Sequence, residues 1–177
     1  MSDIYKTVIG WPFPGESSDG TNALTQLCDA QNEAVFAAIC MPVDDTITHV
    51  GFVNGSKAGT PVNDTWTVSI QGLTAAGGVP DGTILGGASP ASQTFPNATY
   101  PVAGFGTNTY HIIALANSIA LQGGTKYAMV IQKTGATDTV NTLTFRYGLS
   151  ASGRQSNMPY CGTADATPTY TKTQQIP

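Results

Sequence analysis

The chain has 177 residues, enough for one sandwich-type domain to bury a core of its own, and only 10 % of them are charged, against roughly 25 % in ordinary globular domains. Seven Lys and Arg against eleven Asp and Glu give a net charge of −4 with no basic cluster, which argues against nucleic acid as a partner. The longest apolar run, 34–41, falls far short of the roughly 20 residues that span a bilayer, so no membrane insertion is expected.

The first residues lack the basic start and apolar centre of a secretory signal. Ile4–Ile9 can form a short strand, and Trp11-Pro12-Phe13-Pro14-Gly15 forbids helix and favours an extended arm over 1–22. Leu24–Ala38 is the one stretch compatible with a helix, but its apolar part, 34–39, is short and bounded by Asn32-Glu33 and Pro42. That pattern predicts a buried strand. Asp44-Asp45 turns the chain into a strand over Ile47–Val53, where strict alternation puts Ile47, His49, Gly51 and Val53 on one face and Thr48, Val50 and Phe52 on the other. Thr65–Ile70 alternates again, with Trp66, Val68 and Ile70 inward. Val79-Pro80-Asp81-Gly82-Thr83 carries the chemistry of a tight turn: Pro pre-sets a negative φ, Asp can bond its own backbone, and Gly accepts a positive φ.

Beyond it, Gln93–Phe95 reads as a strand and Asn97–Gly106 as a loop. Thr109–Leu115 is a strand with both faces apolar, and Gly123-Gly124 is a turn feeding the β-rich run to Ile131. Thr139–Tyr147 is a last strand with Val140, Leu143, Phe145 and Tyr147 as its apolar members. From Gly148 the pattern dissolves. Eight or nine short strands at spacings of roughly 8–18 residues, without a convincing helix, predict an all-β fold, an antiparallel β-sandwich laid out as a jelly roll. The expected organisation is an extended arm over 1–22, a sandwich domain over 23–148, and a C-terminal extension or junction to a further domain over 149–177. Val35, Phe36, Ile39, Val50, Phe52, Trp66, Val68, Ile70, Ile113, Leu115, Met129, Ile131 and Phe145 are the expected core.

Reactive constellations are scarce. His49 and His111 both sit inside apolar strand patterns, no Gly-x-Ser-x-Gly elbow occurs, and Glu16 and Glu33 are the only glutamates while the nine aspartates fall mostly in turns, which argues against paired-carboxylate chemistry. No enzyme activity and no cofactor are expected. Cys28, Cys40 and Cys161 lack the spacing of zinc or redox sites and read as free or buried thiols, with a Cys28–Cys40 disulfide as the alternative. Asp44, Asp45, Asp64 and Asp81 stand at strand ends, where converging oxygens could hold calcium, although turn chemistry alone accounts for them. Trp11, Tyr100 and Tyr160 lie in Pro-containing loops and are the candidate aromatics for a ligand or an interface. The Asn-x-Ser/Thr matches at 54, 63 and 97 mark loops.

The succession Ile-Thr-His-Val-Gly-Phe, Trp-Thr-Val-Ser-Ile-Gln-Gly, Val-Pro-Asp-Gly-Thr-Ile-Leu-Gly-Gly and Leu-Gln-Gly-Gly-Thr-Lys-Tyr-Ala-Met-Val-Ile, within residues 34–147, resembles jelly-roll modules of tailed-phage virion proteins of the tail-fibre or capsid-surface type. It is more distantly similar to carbohydrate-binding sandwiches. The resemblance implies a virion building block, made in the host cytoplasm, whose partners are other virion proteins or copies of itself. The alternative it implies is a module that attaches the particle to a host-surface glycan. The ending Gln-Gln-Ile-Pro suggests a truncation or a junction, and the two tails, which carry Trp11, Phe13, Met158 and Tyr160, are expected to order against a neighbour.

Overall fold

The structure, a computed structural model, describes residues 8–10, 23–59, 64–75, 78–107, 109–149, 161–164 and 170–174. Its strands are β1 (Val8–Gly10), β2 (Ala23–Cys28), β3 (Ala34–Cys40), β4 (Asp45–Ala58), β5 (Trp66–Leu73), β6 (Pro80–Ile84), β7 (Ser92–Phe95), β8 (Thr109–Leu121), β9 (Lys126–Lys133), β10 (Thr142–Leu149), β11 (Cys161–Ala164) and β12 (Tyr170–Gln174). The only helical element among the described residues is a single 3-10 turn, Val102–Gly104, in the predicted 97–106 loop. The stretch that could have been a helix is β2, a turn and β3.

Two sheets face each other. The first runs β8-β4-β10-β2, and β1 joins the β4 edge in parallel at His49–Gly51. The second runs β12-β11-β3-β9-β5, and β6 and β7 share the far edge of β5. The chain therefore doubles back on itself: β2 pairs with β10, β3 with β9, β4 with β8 and β5 with β7, all antiparallel. These pairs fall alternately in the two sheets, so the two arms of one long hairpin wind around a common core. The fold is an all-β antiparallel sandwich.

The core lies between the sheets. Phe52 is at its centre, with ring centroids 5.6 Å from Phe95, 5.6 Å from Phe145 and 6.2 Å from Phe105. Trp66 stacks on Phe95 at 6.2 Å. Burying each such side chain contributes about 1.5–3 kcal/mol, and aromatic pairs at these separations add to that. Of the predicted core, all are buried except Ile39, which is half-buried. Ile39 is one step from the end of β3, next to exposed Cys40.

Phe36 is buried on the other face. With Ala34, Ala128, Val130 and Ala164, and with Leu73, Val79 and Tyr170 against them, it forms a second apolar cluster outside the second sheet. Tyr170 meets Phe36 edge-on at 5.7 Å. The residues supplying Ala164 and Tyr170 belong to the expected C-terminal extension. They continue the second sheet, since β11 pairs with β3 over Ala34–Ala37 and β12 pairs with β11.

Three local readings are corrected. Strict alternation put Ile47 opposite Val50 and Phe52, yet all three reach the main core. The register of β4 against β8 slips between Ile47 and His49, and such a bulge shifts which face a residue serves. Pro80-Asp81-Gly82 keeps its turn chemistry, with Gly82 at φ +81 and the Thr83 N–H donating to Asp81 Oδ1 at 2.7 Å, but it does so inside edge strand β6, where it makes a slip against β5. Val140, expected as a strand member, is 67 % exposed. The Asp138 carboxylate accepts the Val140 and Asn141 N–H groups at 2.8 and 3.1 Å, which holds this segment in a turn before β10 begins. The alternative Cys28–Cys40 disulfide is absent: Cys28 is a buried free thiol and Cys40 an exposed one.

Candidate functional site

Of the candidate aromatics, Tyr100 is described, and Trp11 and Tyr160 lie outside the described residues. Tyr100 is half-buried and packs against the main core. Asn97 positions it: its Oδ1 accepts the Thr99 and Tyr100 N–H groups, both at 2.9 Å, while its Nδ2 donates to the Thr94 carbonyl at 2.6 Å. The Tyr100 hydroxyl accepts the Ala114 N–H at 2.7 Å. Its ring and hydroxyl therefore brace the 97–106 loop against β8 and do not form an open stacking face.

The calcium candidates are each engaged with a different partner. Asp44 Oδ1 accepts the Gly123 N–H at 2.7 Å, joining the β3–β4 turn to the β8–β9 turn. Asp45 Oδ1 accepts the Thr46 N–H at 2.7 Å, and Asp81 serves Thr83 as described. No group of three or more His, Cys, Asp or Glu side chains placed to hold a metal occurs among the described residues.

His111 is inward on β8, stacked on Phe105 with centroids 3.7 Å apart. Its Nε2 lies 2.8 Å from Asn54 Oδ1, and Asn54 Nδ2 donates to the Gly106 carbonyl at 2.6 Å. Since the amide oxygen can only accept, Nε2 carries the proton and donates. Burial lowers the pKa of this imidazole to about 4. At neutral pH it is an uncharged strut at one end of the core. His49 is half-buried, with Nδ1 2.7 Å from the Thr48 hydroxyl.

The most unusual chemistry was not singled out from the sequence. Lys133 is wholly buried and pairs with Asp64, itself nearly buried. Its Nζ lies 5.0 Å from the centroid of the Trp66 ring, a cation–π contact. Trp66 and Lys133 are directly paired across β5 and β9, and the Thr134 and Gly135 N–H groups both donate to the Thr65 carbonyl at 3.0 Å. Burial lowers the Lys133 pKa, opposed by the charges of Asp138, Cys28, Asp29 and Glu33. The signal was present in the pattern: Tyr127, Met129 and Ile131 are the inward set of β9, and one further step is Lys133. Likewise Asp64 is one step before Trp66, Val68 and Ile70. The buried Trp66 indole N–H and Gln71 Oε1 have no hydrogen-bond partner among the described residues.

On the outside, Leu27 and Ile112 of the first sheet are 44 % and 47 % exposed. Strand β8, the outermost strand of that sheet on its side, runs 13 residues without a charged side chain. No helix among the described residues is long and apolar enough to cross a membrane. No protein-family model matches the chain, and no curated protein or solved structure matches it.

Proposed function

We propose that this chain is a non-enzymatic structural module of a virion, a capsid-surface, tail or fibre component of the tailed-phage kind that works by assembly with other virion proteins or with copies of itself. The observation that carries the reading is the strand order. The pairings of β2 with β10, β3 with β9, β4 with β8 and β5 with β7, alternating between two facing sheets, support a jelly-roll layout, an architecture shared by viral capsid and lectin domains. The uncharged β8 edge supports it, because edge strands kept monomeric by selection usually carry charges or prolines. Tyr100, braced against the core, adds nothing to the glycan-binding alternative.

The test is the state of the purified chain over a concentration series, by sedimentation velocity and electron microscopy, alongside a glycan array. Defined oligomers or ordered assemblies without glycan capture are expected. A chain that stays monomeric at high concentration and selects a glycan class would overturn the proposal in favour of attachment.

A further inference from the structure

We propose that Lys133 and Asp64 condense into a side-chain amide, an intramolecular cross-link that ties the end of β9 to the start of β5. The two groups lie in direct contact inside the protein, with Lys133 wholly buried and Asp64 6 % exposed. Each is held by rigid structure. Lys133 is in register with Trp66, Asp64 is two residues before it on the same inward face, and the backbone between them is pinned by the two N–H bonds to the Thr65 carbonyl. Gly135 closes over the carboxylate so tightly that a Cβ there would overlap Asp64 Oδ1. Reacting groups fixed in this way gain the large effective concentrations of intramolecular reactions.

The chemistry needs no partner. In this water-poor site the ammonium and the carboxylate both lose their hydration, and a proton passing from Nζ to the carboxylate leaves a neutral amine and a neutral acid. The Nζ lone pair then attacks Asp64 Cγ. The Thr65 N–H, which donates to Asp64 Oδ1 at 2.7 Å, stays on the oxygen that becomes negative in the tetrahedral intermediate. The C–N bond forms, the other oxygen leaves as water with protons drawn from nitrogen, and the sum is an ammonium plus a carboxylate giving an amide plus water. Nothing is oxidised or reduced. Two neighbouring acids are engaged elsewhere: Glu33 Oε2 accepts the Asp29 and Ala30 N–H groups at 2.7 and 2.8 Å, and Asp138 is bonded to Val140 and Asn141.

Mass spectrometry of the intact, denatured wild-type chain decides the matter, and it is expected to read about 18 Da, one water, below the sequence mass. Trypsin does not cut after an amidated lysine, so digestion should yield a branched species in which 58–126 is joined to 127–146. Asp64→Ala and Lys133→Arg should each lose that species completely. A wild-type chain of full sequence mass that is cut after Lys133 would overturn the proposal whether or not the variants fold. A chain that has lost water but is still cut after Lys133 would overturn it too, because Asp81-Gly82 can lose water by closing on its own backbone.

Discussion

His111 makes stability depend on pH in a defined window. Its pKa is about 4 in the folded chain against an ordinary 6.5. Above pH 6.5 it is neutral in both states and contributes no dependence. Between 6.5 and about 4 the unfolded chain takes up a proton that the folded chain refuses, so stability falls as pH falls, and below about 4 the loss is complete. Allowing for the partial exposure of the ring, the loss is about 2 kcal/mol. Urea midpoints at pH 7 and pH 4.5 should fall less in His111→Gln than in the wild type, and equal falls would mean that the imidazole is already charged in the folded chain. Trp66 acts at the same scale by volume. It is fully buried, stacked on Phe95 and under Lys133, so Trp66→Ala should cost about 3–5 kcal/mol in chemical denaturation.

Two glycines distinguish how strand pairs tolerate a methyl group. At Gly51 on β4 an added Cβ would overlap the Tyr110 hydroxyl, the tip of a half-buried side chain on the adjacent β8 that can swing toward solvent. At Gly135, after β9, it would overlap the Asp64 carboxylate and come within 3.0 Å of the Thr65 backbone nitrogen, neither of which can retreat. Gly51→Ala should therefore cost about 1 kcal/mol and Gly135→Ala about 2–4 kcal/mol. Adding Tyr110→Ala to Gly51→Ala should remove most of the first cost, a coupling that a double-mutant cycle measures.

The molecule as a whole has two apolar layers where a minimal sandwich has one. The layer between the sheets belongs to β2–β10, and the layer outside the second sheet is closed in part by Ala164 and Tyr170 from β11 and β12. A chain ending at residue 160 would expose Ala34, Phe36, Ala128 and Val130, a contiguous patch of the kind that drives association. Its denaturation midpoint should drop and light scattering should show aggregation. An unchanged midpoint with a monomeric mass would show that β11 and β12 are dispensable decoration.

Local chemistry was enough to determine the strand character of this chain and most of its core. Period-two runs bury one face and show the other, and a residue such as Trp66 or Ile131 needs only its neighbours two steps away to reveal its side. It was also enough to show that 34–39 is a strand, because the run is too short for a helix that could bury both of its flanks. The same pattern failed at Ile47, since a register slip against β8 depends on a partner strand more than sixty residues away. It failed at Val140, where an Asx turn overrode the alternation, and across 161–174, where four- and five-residue strands carry too little pattern to be seen without the sheet that they join. Alternation puts Lys133 and Asp64 each in step with an inward set, but their pairing was decided by tertiary structure. Each residue taken singly reads as a polar strand end, and only the β5–β9 register puts the two buried groups against each other beside Trp66.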